Sequence, residues 1–280
     1  MSTSITKQIF EEITCALKND ELVLPTLPEV ALRVREAAQD PDIDINNLGE
    51  IITTDAALTA RIIKVVNSPL LRSPNSISDL GMAISRLGLV YTSNLALGLA
   101  MEQMFQATNG TIDRLLRTVW ARSTEVAGIS HALCQFFTSL RPDQATLAGL
   151  VHQIGILPIL TYAEERNEQL LENETLLMKI IEYLHPHLGQ RILQAWDFAP
   201  ELIAVPYEYR NFSRDSATVD YVDIVQVACL QSYAGTEHPL ASTDWSRVPA
   251  FDKLGLDART QLEENEQLSH SMAAATQLLS

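Results

Sequence analysis

The chain has 280 residues, 46% hydrophobic and 20% charged, enough apolar material for one large or two small packed domains and not a disordered composition. Twenty basic against 35 acidic residues leave a net charge of −15, which repels phosphate backbones and argues against nucleic acid as a partner. Three scattered cysteines, Cys15, Cys134 and Cys229, with no C-x-x-C pair, fit a reduced cytoplasmic protein and not a disulfide framework.

Along the chain, almost every segment reads as helix. Ile5, Ile9, Ile13 and Leu17 recur every four residues, and the opening MSTSITKQIFEEIT has no apolar core of the kind a secretory signal needs. Pro25 and Pro28 bracket a turn before the helix EVALRVREAAQ, which should end near Asp40-Pro41. Asp44 can cap a short helix carrying Leu48, Ile51 and Ile52. Thr54 or Asp55 can cap the next, with Leu58, Ile62, Val65 and Val66 on its apolar face and its end at Asn67-Ser68-Pro69. Ser78 or Asp79 opens a helix through Ile84 and Leu87 that Gly88 closes. The apolar run LGLVYTSNLALGLAM (87–101) is interrupted by Thr92, Ser93 and Asn94, so no membrane span is expected. Helical spacing continues over 112–137, 146–160, 164–183, 187–197, 200–210 and 218–233. A polar loop, AGTEHPLASTDWSRVPA, then leads to a terminal helix from about Asp257. With no period-2 alternation and no fixed repeat, the expected class is all-α, a compact multi-helix bundle with short connections.

Residues 148–156, AGLVHQIGI, place the polar pair His152-Gln153 in an apolar run with two glycines. A hydrolytic metal site needs several His, Asp or Glu side chains converging, and an adjacent His-Asp pair is an economical start. Here the second member is Gln, whose neutral amide brings no charge to offset a cation and cannot act as a general base.

An ordered series of segments resembles the HDOD-domain family, bacterial signalling relatives of the HD phosphohydrolase superfamily. Leu24-Pro25-Thr26-Leu27-Pro28 is similar to that family's Leu-Pro-x-Leu-Pro opening, and residues 38–71 and 77–89 to the helices that follow. AGLVHQIGILPI (148–159) stands at its Gly-Leu-Leu-His-x-Ile-Gly position, and residues 185–206 resemble its His-x-x-x-Gly…Trp-x-x-Pro block. The resemblance runs from about 22 to 211 and implies an HD-domain-like bundle. It divides the chain into an N-terminal helix (1–21), an HDOD-like module (22–211, with parts 22–110 and 111–211) and C-terminal helices (212–280) that complete the bundle.

The same resemblance implies which metal ligands are missing. Catalytic HD enzymes carry a His, a His-Asp pair and a distant Asp. The first slot falls here at Arg122 or Ser123, and the Asp of the pair at Gln153. The His-His pair of the cyclic-dinucleotide phosphodiesterase branch falls at Pro206, Tyr207 and Glu208, and the last Asp near Cys229, with Asp223 one or two turns earlier. His152 and His185 remain, and His187 if the register slips by two.

The plainer structural roles are these: a hydrogen-bonded core histidine for His152, a helix-bridging amide for Gln153, a back-bonded Ser123 and an ion-paired or solvated Arg122. His185 and His187 would cap or pack at a helix start beside Pro186. Tyr207 and Tyr209 would keep their hydroxyls at the surface, and Gly149 and Gly155 would allow close helix approach.

The leading expectation is a cytoplasmic, stand-alone signalling adaptor without receiver, GGDEF-like or EAL-like segments. It binds a protein partner or a small ligand at a degenerate HD site, with no metal or other cofactor. One alternative is a divergent metal-dependent phosphohydrolase using His152 and His185 with Asp223 or Glu208. Another is a nucleotide-binding sensor, which needs some of Arg86, Arg114, Arg117, Arg122 and Arg210 to converge.

Overall fold

The computed structural model describes residues 24–68, 76–166, 170–171, 173–256 and 272. The helix expected around Ile5–Leu17 lies outside the described residues, as does all but Met272 of the one expected from Asp257. Every regular element among the described residues is helical.

The N-terminal part holds α1 (Glu29–Gln39), α2 (Ile45–Thr53), α3 (Ala56–Val66), α4 (Leu80–Leu87) and α5 (Leu89–Ala100). Three of their starts are fixed by aspartates at the N-cap. Asp44 accepts from the Asn47 amide at 2.8 Å, Asp55 from Leu58 at 3.0 Å and Asp79 from Met82 at 2.9 Å, satisfying amides that the first turn leaves without a helical partner. Asn67, just past α3, donates from Nδ2 to the Ile77 carbonyl (2.6 Å) and accepts at Oδ1 from the Ile77 amide (2.7 Å), pinning the end of α3 to the approach to α4.

The second part is built on α6 (Gly110–Phe137) and α7 (Pro142–Val151), a hairpin with a four-residue connection. Then come α8 (Ile156–Arg166), α9 (Glu174–Ala195), α10 (Pro200–Glu208), α11 (Tyr221–Ser232) and the short α12 (Pro249–Lys253). Helix α5, buried along most of its length, packs on α1 on one side and on α7 on the other. Helix α11 lies across α6 and α7, and α9 packs on α8 and α10. One hydrophobic core runs through both parts, from Val30 to Leu254. The Trp196 indole N–H ties α9 back to the Pro25 carbonyl at 3.0 Å.

The observed elements correct several expectations. The run 146–160 is not one helix: α7 starts at Pro142, stops at Val151, and a turn over 152–155 precedes α8. The helices expected over 164–183 and 187–197 are divided elsewhere: α8 ends at Arg166, and no break separates 183 from 187. Asn173 caps α9, which then runs through Pro186 to Ala195, so His185 and His187 are interior helical residues and not caps. Burial of Leu184, His185, Leu188 and Gly189 on both sides of the proline holds that helix together despite the lost hydrogen bond. The polar stretch before 250 folds into two 3-10 turns, Pro239–Ser242 and Trp245–Arg247. Among the described residues, the stretch Pro142–Glu165, which spans α7, the turn and most of α8, is long and apolar enough to cross a membrane, but 83% of its apolar window is buried inside the protein.

Candidate functional site

Two close backbone contacts fix the His152 turn, one against α9 and one against α6. A methyl group at Gly155 would lie 2.5 Å from the Gly189 nitrogen and closer still to the His185 carbonyl oxygen. One at Gly149 would lie 2.7 Å from the Ala127 nitrogen on α6. Only glycine allows these approaches. They set His152, at the end of α7, beside His185 on α9.

Both imidazoles are almost wholly buried. Nδ1 of His152 lies 2.6 Å from the Gly149 carbonyl oxygen, and Nδ1 of His185 lies 2.6 Å from that of Ile181. A carbonyl only accepts, so each Nδ1 carries the proton and each Nε2 presents a lone pair. Burial pushes His152 down to about 4 and His185 down to about 3, so both are neutral at physiological pH.

Tyr209, just after α10, fills the space between them. Its hydroxyl is 2.7 Å from His185 Nε2, to which it must donate. Burial holds the phenol well above its ordinary pKa, so the hydroxyl keeps its proton. The chain therefore runs Tyr209 to His185 to the Ile181 carbonyl, both donors pointing the same way. The Tyr209 ring also lies 4.9 Å from the His152 ring, nearly perpendicular to it. His152 Nε2 is buried and has no hydrogen-bond partner. Tyr209 is only 2% exposed, which corrects the expected surface hydroxyl; Tyr207 is the exposed one, 5.1 Å from the His187 ring on the outside of α9 and α10. Residue pattern could not choose between them, because two tyrosines two residues apart lie about 200° apart around a helix and only packing decides which faces inward.

The other candidates are placed as follows. Arg122 donates to Glu125 Oε2 (2.8 Å) and the Ser232 carbonyl (2.7 Å), and its guanidinium sits 4.4 Å from the Tyr233 ring centre. Ser123 is fully buried, and its hydroxyl makes no back-bond. Glu208 is partly exposed and accepts from Asn211 Nδ2 at 3.3 Å. Asp223 is fully buried, but its carboxylate is taken by Lys253 Nζ at 2.6 Å, Arg214 Nη1 at 3.2 Å and the Asp220 amide at 3.1 Å. Cys229 is buried, with its thiol pushed up to about 12.

Of the five arginines considered, Arg122 and Arg210 act on the same three groups, Cys229, Tyr233 and His238. Each already holds a carboxylate, Glu125 and Glu182 respectively. Arg117 pairs with Asp113 near the start of α6, and Arg86 lines a shallow depression beside α4.

Residues 24–211 match the HDOD domain family, two thirds of the chain. The chain belongs to the HDOD family. A solved structure from Shewanella amazonensis SB2B, named "Putative metal-dependent phosphohydrolase", is similar to this HDOD protein. It is 32% identical with a TM-score of 0.89, and the match covers 99% of this chain and 100% of the other. A "Putative signal transduction protein" from Marinobacter aquaeolei VT8 shares the fold at 19% identity and TM-score 0.62, over 93% of this chain and 60% of that one. An "Uncharacterized protein" of Treponema pallidum (strain Nichols) is 22% identical over 193 residues, 64% of this chain and 36% of the relative, so this HDOD chain spans about a third of that protein's length.

The donors in the HDOD pocket do not suit the divalent metal that the HD superfamily implies. Among the described residues no group of three or more His, Cys, Asp or Glu is arranged to hold one. The two imidazoles are neutral, one already accepts a phenol proton, and the buried candidate carboxylate, Asp223, is neutralised by two cations. An ion held by hard oxygen and imidazole donors needs anionic charge that this pocket lacks.

Proposed function

We propose that this chain is a signalling module of HDOD type that works by binding a protein partner or a small ligand, in the cytoplasm, and does not hydrolyse phosphoesters. The observation that carries the reading is the hydrogen bond of the buried Tyr209 hydroxyl to His185 Nε2. It occupies the lone pair that a metal would take, and among the described residues no group of three or more His, Cys, Asp or Glu is arranged to hold an ion. The signalling name carried by the Marinobacter relative agrees with this reading, and the phosphohydrolase name carried by the Shewanella relative is the competing one.

The test is elemental analysis of protein purified without chelator, together with a panel of nucleotides and phosphodiesters in Mn²⁺. Metal well below one equivalent and no turnover above blank are expected. One equivalent of Fe, Mn or Zn, with turnover that disappears in His152→Ala, would establish the phosphohydrolase instead.

A further inference from the structure

We propose that the depression between α2 and α4 is a docking groove for a basic amphipathic helix of a partner protein. The inference deepens the reading above, that the chain works by binding, and rests on it for the choice of a protein partner. The depression measures about 970 Å³ and is lined by Ile45 at the start of α2, by Ile77, and by Gly81, Met82 and Arg86 on α4. Helix α4 turns Leu80, Ala83 and Ile84 into the core. Met82 lies outside that buried face and is 53% exposed, and Ile45 is 37% exposed. An open apolar surface built around a methionine suits a helix laid in a groove, since the unbranched thioether adapts to what it meets. Gly81 adds no side chain to the lining: a Cβ there would meet only Asp79 Oδ1, at 3.1 Å.

Charge selects the occupant. Asp44 directly precedes Ile45, and Asp79 stands against Gly81. Both aspartates are exposed, each spends Oδ1 on its N-cap bond, and neither makes an ion pair among the described residues. Arg86 lies seven residues past Asp79, about 10 Å along the α4 axis, so the acidic end keeps its charge. A second copy of this chain, with its net charge of −15, is repelled there, and so is an anionic membrane surface. A helix with lysine or arginine beside its apolar stripe instead covers Met82 and Ile45 and meets both carboxylates.

The experiment uses the full chain and a labelled synthetic helix of about 18 residues, with leucines on one face and lysines beside them, read by fluorescence anisotropy at physiological salt. This peptide should bind. One with glutamate for every lysine, and one of the same composition in scrambled order, should not. Met82→Glu should weaken binding at least about tenfold, whereas Met178→Glu, at a similarly exposed methionine on α9, should leave it unchanged. Asp44→Asn together with Asp79→Asn removes the charges but keeps the caps, because Asn caps as well as Asp, and should weaken binding about threefold to tenfold. The groove is refuted if the lysine peptide does not bind, if either control peptide binds equally, if Met82→Glu and Met178→Glu behave alike, or if removing both charges changes nothing. It is equally refuted if the native chain forms dimers that Met82→Glu dissociates, or binds phosphatidylserine vesicles that Met82→Glu does not, since a second copy or a membrane would then be the occupant. One equivalent of metal with turnover would sink the functional reading and leave the peptide result standing, whereas a metal-free, inactive chain that ignores the peptide sinks only the groove.

Discussion

The Gly155 contact gives the sharpest test of how this pocket is built. In Gly155→Ala the new methyl would stand 2.5 Å from the Gly189 nitrogen and closer to the His185 carbonyl oxygen, and both are helical backbone that no rotamer change can move. Restoring an ordinary 3.4 Å contact to Gly189 alone requires the turn and α9 to part by about 0.9 Å. Such a shift also pulls at the His185–Tyr209 hydrogen bond. Overpacking of a rigid core costs about 1–3 kcal/mol, and the backbone nature of both obstacles puts this change at about 3 kcal/mol or more. Equilibrium urea denaturation followed by circular dichroism measures it. Two controls grade the effect. Gly98→Ala meets the end of a flexible Leu150 side chain at 2.6 Å and should cost less, while Gly110→Ala meets nothing within 4 Å and should be neutral or stabilising by up to about 1 kcal/mol. A loss under about 1 kcal/mol for Gly155→Ala, or one no larger than that for Gly98→Ala, would refute the claim that this approach positions the site.

Further outcomes follow from the same geometry. Tyr209→Phe strands the buried His185 Nε2 and should lower stability by about 1–3 kcal/mol in the same urea assay; an unchanged midpoint would mean the bond contributes nothing. Burial holds His131 and His152 at about 4 and His185 at about 3, while the unfolded chain takes up their protons near pH 6.5. Their folded pKa values are depressed, so this stability is complete above about pH 6.5 and falls as the pH drops towards the folded values, by up to about 2 kcal/mol per histidine at pH 5. Urea midpoints measured between pH 7.5 and 5 should fall accordingly, and a flat profile would contradict the buried neutral rings. Asp223→Ala leaves Lys253 and Arg214 facing each other without their shared carboxylate and should cost about 3 kcal/mol, read by thermal melting. Cys134 and Cys229 are buried with raised pKa values, so neither should react with a disulfide reagent at pH 8 until the protein is denatured.

Much of this protein was already fixed by local chemistry along the chain. Helical periodicity in 112–137 and the Asp44 cap depend on neighbours a few residues apart, and both reappear in the folded chain, which also settles the caps left open between Thr54 and Asp55 and between Ser78 and Asp79 on the aspartates. The family match over 24–211 was equally readable. What the linear order could not decide was which groups meet. Pro186 reads as a helix break until packing on both sides of it supplies more energy than its missing hydrogen bond removes. Tyr207 and Tyr209 differ by two residues and are chemically alike, yet the end of α10 turns one outward and sends the other between His152 and His185. Burial and hydrogen bonding of a side chain depend on residues tens of positions away, brought close by Gly149 and Gly155. Only the assembled helices could therefore show that the two histidines share a tyrosine.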